Sequence, residues 1–156
     1  MRVTLCVVGR LRAGPERDLI DDYLTRFDRT GRALGLGPAS VIEVEDKKGG
    51  GSVAEAVLLR KAIPDGALLV TMDERGKVIT SPEFAKKLGG WRDNSQRDLA
   101  IVIGGAAGIA PDLRGEADFS LSFDKMVWPH MLARVMLTEQ LYRAATILSG
   151  GPYHRA

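Results

Sequence analysis

The stretch Ala100-Ile101-Val102-Ile103-Gly104-Gly105-Ala106-Ala107-Gly108-Ile109 decides how this chain folds. Its first four residues are apolar and partly β-branched, with no polar residue between them. Such a run suits a strand covered on both faces, as in a parallel sheet. Three glycines within five positions follow at once. They remove the Cβ where the strand ends, so the backbone can turn with positive φ and come close to a ligand. In open α/β sheets, ligands bind beyond the carboxyl ends of the strands. A tight turn that needs glycine for steric reasons alone is the plain alternative.

Toward the N-terminus three further strands are expected, at Arg2 to Gly9, Ser40 to Val44 and Ala67 to Met72. Helices separate them. Pro15 suits a first helical turn, and Leu19, Ile20, Tyr23, Leu24 and Phe27 recur at helical spacing from Glu16 to Thr30, with Gly31 as the stop. Ser52 with Glu55 three residues on reads as a capping box opening a helix through Ile63. Ser81 before Pro82 opens the next helix, with Phe84, Leu88 and Trp91 as its buried stripe. The loop Asp46 to Gly51 is charged, and its Lys47 and Lys48 either touch phosphates or are simply solvated. Asp73-Glu74-Arg75-Gly76 reads as a turn whose carboxylates bind a ribose or a metal, or only turn the chain.

Toward the C-terminus the pattern predicts a short helix from Pro111 to Ala117, a strand from Phe119 to Phe123 and a helix from about Met131 to Leu148. Leu132, Val135, Met136, Leu141, Tyr142, Ala145 and Leu148 give that last helix a wide apolar face. One sheet cannot cover it all, which favours a helix-mediated dimer. Gly150-Gly151 stops it. Strands alternating with helices make a single α/β domain, with a mainly parallel sheet and helices on both faces.

Composition narrows the function. Twenty-two Lys and Arg against 20 Asp and Glu leave a net charge of +2, so any basic nucleic-acid surface is local. The one cysteine, Cys6, sits inside the first apolar run; it excludes an internal disulfide and reads as a packed thiol in a reducing cytoplasm. Two histidines and one cysteine offer no recognisable zinc spacing, so no metal is expected. No signal peptide is expected, and no apolar stretch approaches the roughly 20 residues of a membrane span. A P-loop would need GxxxxGK[ST], which does not occur. A dinucleotide fold would need GxGxxG after the first strand, where Gly9 is instead followed by Arg10-Leu11-Arg12.

Four runs then carry a resemblance: IGGAAGIAP (Ile103 to Pro111), LSFDKMVWPHMLARV (Leu121 to Val135), EQLYRA (Glu139 to Ala144) and PYHRA (Pro152 to Ala156). In this order and over a chain of this length, the sequence resembles the ribosomal RNA large-subunit methyltransferase H family of the SPOUT methyltransferases. The resemblance implies a C-terminal trefoil knot, although knots are almost absent from folds. It also implies a cytoplasmic homodimer that uses S-adenosylmethionine. The implied reaction is methylation of N3 of a pseudouridine in 23S rRNA within the assembled 70S ribosome, with no DNA or membrane partner.

The resemblance places the cofactor against Met72, Gly104, Gly105, Gly108 and the backbone of Phe123, Asp124, Lys125, Met126, Val127 and Trp128. Ala106-Ala107 and the charged Asp124-Lys125 depart from the family pattern, which bears on side-chain contacts rather than backbone ones. The polar candidates for substrate are His130, Arg134, Tyr153, His154 and Arg155. His130 and Arg134 are four apart at a helix start and so share a face. Tyr-His-Arg at the end combines stacking, proton transfer and phosphate binding, and His154 is the first candidate for the base. Two other readings are a non-catalytic ribosome-binding protein of the same fold and a SPOUT enzyme acting on tRNA. The intact tail and glycine loop speak against the first, and the lack of room for an extra RNA-contacting segment against the second.

Overall fold

The structure, a computed structural model, describes residues 1–155; Ala156, which ends the PYHRA run, lies outside them. Among these residues the strands are β1 (Arg2–Val8), β2 (Ala39–Val44), β3 (Leu68–Val78), β4 (Asp98–Ile103) and β5 (Phe119–Ser122). The helices are α1 (Pro15–Gly31), α2 (Gly51–Ala62), α3 (Ser81–Asp93), α4 (Pro111–Gly115) and α5 (His130–Ser149). The strands form one sheet in the order β2-β1-β4-β3-β5, and every pairing is parallel.

The unbroken apolar run of β4 follows from its place between two layers. Leu99, Ile101 and Ile103 join a core with Phe27 of α1, Phe84 and Leu88 of α3, and Leu137 and Leu141 of α5. Ala100 and Val102 point the other way, into a second core with Cys6, Ala56 and Leu59 of α2, and Leu113 of α4. With both faces dry, alternation has no polar side to display. Each fully buried Leu or Ile contributes about 1.5–3 kcal/mol relative to an exposed one. Burial pushes the Cys6 thiol up to about 11, as fits a packed thiol rather than a nucleophile.

Several local expectations need correction. Asp73-Glu74-Arg75-Gly76 is not a turn. β3 runs on to Val78, and its register against β5 shifts between Met72 and Lys77, so these residues bulge from the ladder. A Cβ on Gly76 would lie 2.7 Å from the Ser120 backbone, so glycine is needed here for close approach. Gly31 is the last residue of α1 and not its stop: a 3-10 turn, Arg32–Leu34, follows, and Gly35 takes the left-handed position at φ 69°.

Ser52 and Glu55 form no capping box, because Ser52 already lies inside α2, whose N-cap is Gly50. The Asp46 carboxylate instead accepts the N–H groups of Lys48 and Gly50, while Lys47 and Lys48 are exposed. A capping box does open α3, one residue earlier than expected. Thr80, extended at ψ 161°, accepts from the Glu83 N–H, and Glu83 accepts from the Thr80 N–H.

Candidate active site

The loops after β4 and β5 and the bulge of β3 enclose a cleft of about 890 Å³ at the carboxyl ends of the strands. That is the size of a small-molecule site. Its floor is the glycine loop. Gly108 N–H donates to Gly105 O at 3.0 Å, and the two residues bridge antiparallel across Ala106-Ala107. A Cβ on Gly104 would lie 2.8 Å from the Gly108 carbonyl carbon and 2.9 Å from Ile109 Cγ1. A Cβ on Gly105 would lie 2.9 Å from Val8 Cγ1. These two glycines therefore let the loop fold back on itself and onto β1, and both line the cleft. Gly108 differs, having φ +75° and open space where its Cβ would be.

The second wall is the segment from Phe123 to Pro129, folded on itself. Ser122 Oγ donates to Asp124 O at 3.0 Å, Asp124 Oδ1 accepts from the Lys125 N–H at 2.7 Å, and Trp128 Nε1 donates to Phe123 O at 3.2 Å. Asp124 holds φ +84° without being glycine. Such strained positions concentrate at ligand sites. Met126 and Val127 stand out from this loop, 72% and 82% exposed.

All the residues that sequence assigned to the cofactor line this cleft except Lys125, and His130 joins them. Folding adds residues that sequence did not assign to the cofactor or substrate. Ser52 comes from α2, more than 50 residues before the glycine loop, and Arg114 from α4, the short helix that follows it. Asp73, whose role was open, has a side chain only 7% exposed on the cleft wall. It accepts the Arg75 N–H at 2.8 Å and lies 3.5 Å from Arg114 Nη1.

Arg134 is not available to a substrate, which corrects its reading as a partner of His130. It is 3% exposed. Its Nη2 donates to the carbonyls of Val8 and Gly9, the latter at 2.9 Å, and its Nη1 lies 3.2 Å from Glu43. Burial lowers its pKa, and Glu43 opposes that; a guanidinium nonetheless keeps its proton in proteins. Arg134 thus clamps α5 to the ends of β1 and β2. Arg134→Met should lower unfolding stability by about 3 kcal/mol, because it strands buried carbonyls and removes a paired charge. Urea titration checks this; an unchanged midpoint would mean that the clamp contributes nothing.

The tail is docked along α5. The Tyr153 ring lies 4.6 Å from that of Tyr142, its hydroxyl donates to Glu139 Oε1 at 3.0 Å, and the Arg143 guanidinium sits 4.8 Å from its centre. Burial and the Glu139 carboxylate push its phenol up to about 12, so Tyr153 keeps its proton at neutral pH. His154 Nδ1 is 3.2 Å from Arg143 Nη1, and Arg155 is exposed. Neither Tyr153, His154 nor Arg155 lines the cleft. Within one chain, the glycine loop and the tail are separate places.

The sequence matches the family described as "Predicted SPOUT methyltransferase" over residues 1–154. Proteins named ribosomal RNA large subunit methyltransferase H are 74% identical in Ruegeria sp. (strain TM1040) and 72% identical in Ruegeria pomeroyi, each over 99% of this chain and 99% of the relative. A probable methylase family protein from Haemophilus influenzae Rd KW20 shares the fold with a TM-score of 0.55 at 13% identity, covering 99% of this chain and 70% of that one. With a parallel sheet that ends in a glycine-loop cleft and relatives of this identity along its whole length, the chain belongs to the SPOUT methyltransferases, among the ribosomal RNA large subunit methyltransferase H proteins.

Proposed function

We propose that this protein transfers a methyl group from S-adenosylmethionine to N3 of a pseudouridine in 23S rRNA, on the assembled 70S ribosome in the cytoplasm, and that it works as a homodimer. The observation that carries this reading is the cleft itself, which gathers the glycine loop, Met72 and the segment after β5 around one volume. S-adenosylmethionine supplies a methyl group on a positively charged sulfur. Met72, Ile109 and Trp128 offer apolar surface for its adenosine, and Asp73 and Asp124 bring carboxylates to the same walls. The chain's task is to hold both partners in line and to handle the proton on N3.

Support for the dimer comes from two features. The tail carries the densest group of substrate-suited side chains yet stands apart from the cleft. An apolar strip also runs from the cleft rim onto α5, where Trp128, Met131 and Leu132 are 41%, 38% and 42% exposed. A second copy seated on that strip would bring its own tail to the cleft. A C-terminal knot belongs to the same proposal: the segment after β5 returns to the glycine loop before α5 clamps β1 through Arg134.

The test is methylation of ribosomes whose 23S rRNA lacks the modification. Purified protein with S-adenosylmethionine and a chelator should place one methyl on N3 of a pseudouridine, read by mass spectrometry of rRNA fragments. Calorimetry should show the same cofactor affinity with and without chelator. Transfer to tRNA in place of ribosomes, or binding that disappears with the chelator, would refute the reading.

A further inference from the structure

We propose that Arg143 is a positioning residue that holds His154 as a neutral ring with its proton on Nε2, so that His154 donates a hydrogen bond to a substrate oxygen and does not serve as the base. This rests on the tail's role in the function proposed above. The contact that carries it is Arg143 Nη1 to His154 Nδ1, at 3.2 Å. A guanidinium has donors only, so Nδ1 must accept with its lone pair. A proton on Nδ1 would set two N–H groups against each other. The neutral ring therefore carries its proton on Nε2.

Arg143 is itself held in place. Its Nε and Nη2 donate to Glu139 Oε1 at 3.0 and 2.6 Å, one helical turn earlier in α5. Tyr153 donates to the same oxygen at 3.0 Å, and its ring lies against the guanidinium. Glu139 Oε2 accepts from Gln140 at 3.1 Å. One edge of the planar fork is thus occupied by Glu139, and the remaining arm is aimed at His154. A lysine could not occupy both directions with one rigid group.

The tautomer decides what His154 can do. In methyl transfer the S–C bond breaks with its electron pair going to sulfur, the N3–C bond forms, and the N3 proton leaves to solvent water. As that proton leaves, negative charge spreads onto the two carbonyl oxygens that flank N3 in the base. An Nε2–H donor beside one of them stabilises that charge. A ring already protonated on Nε2, with its Nδ1 lone pair occupied by Arg143, has no site left for the proton.

The experiment is nitrogen-detected NMR of the full-length protein labelled at its histidine rings, with the His154 signals assigned by their loss in His154→Gln. At neutral pH the parent should show Nε2 protonated and Nδ1 bare and hydrogen-bonded. Arg143→Met should convert this to a mixture of tautomers and lower kcat on ribosomes by about tenfold, with KM within about threefold. Arg143→Lys, which keeps a donor, should recover part of both. A proton on Nδ1 in the parent, a doubly protonated ring, or a tautomer unchanged in Arg143→Met would overturn the proposal. The tautomer is read without substrate, so failure of the wider reading shows separately. If the ring behaves as stated but His154→Ala methylates ribosomes at the full rate, the tail has no part in the chemistry and the donor role falls with it.

Discussion

Removing Tyr153 to Ala156 lowers methylation of ribosomes by about 10²–10³-fold and leaves S-adenosylmethionine affinity within about threefold. The asymmetry follows from the separation of cleft and tail. The cleft is built from the β3 bulge, the glycine loop and the segment after β5, and none of Tyr153, His154 and Arg155 lines it. What the truncation removes is a hydrogen-bonding ring, a phenol and a cation. Its cost to stability should be small, about 1–2 kcal/mol, for the Tyr153–Tyr142 ring contact and the hydrogen bond to Glu139. Radiolabelled methyl incorporation and calorimetry on the same preparation test the two halves. If the truncated protein methylates 70S particles at the parent rate, the substrate role passes to His130, the one polar candidate that lines the cleft.

Gly104→Val abolishes cofactor binding, raising Kd by about 10²-fold or more, while the sheet stays folded. The reason lies in the loop and not in the ligand. A Cβ at this position meets the Gly108 backbone at 2.8 and 2.9 Å and Ile109 Cγ1 at 2.9 Å. Backbone cannot swing aside as the end of a long side chain can, so the loop has to open and the floor of the cleft is lost. The core strands are buried elsewhere, and far-UV dichroism and the melting transition should change little. Gly108→Ala makes a useful contrast. It meets no atom, and only its φ of +75° opposes it, at a cost of about 1–2 kcal/mol. Binding by Gly104→Val at the parent affinity would show that the loop's shape does not matter to the cofactor.

Together the two variants test the subunit arrangement. Each is inactive alone, the first for want of a tail and the second for want of a cleft. Co-expressed in equal amounts and paired at random, they should recover about a quarter of parental activity, because half the dimers keep one complete site of two. No recovery would mean that a cleft and a tail act within the same chain.

The sequence by itself determined the layering. The unbroken apolar run of β4 could be satisfied only between two dry faces, and alternate side chains do divide between two cores. Pro15 and the left-handed Gly150 mark helix ends through backbone conformation, which is local and so readable from a few residues. Reading slipped where two local solutions compete. Ser52–Glu55 and Thr80–Glu83 carry the same capping pattern, and only the extended backbone at Thr80 lets it form. Asp73 to Gly76 looks like a turn because its residues favour one, yet pairing with β5 draws it into a bulged strand.

Tertiary structure alone decided which polar residues are free. His130 and Arg134 are neighbours on α5. One faces the cleft, while the other is spent on carbonyls of β1's end, 126 and 125 residues away in the chain. Ser52 and Arg114 reach the cleft by the same route, and so does the partnership of Asp73 with Arg114. Spacing along a helix reports a face but not what covers it. Burial depends on distant segments, and a charged group is held inside only where the completed fold supplies its partners.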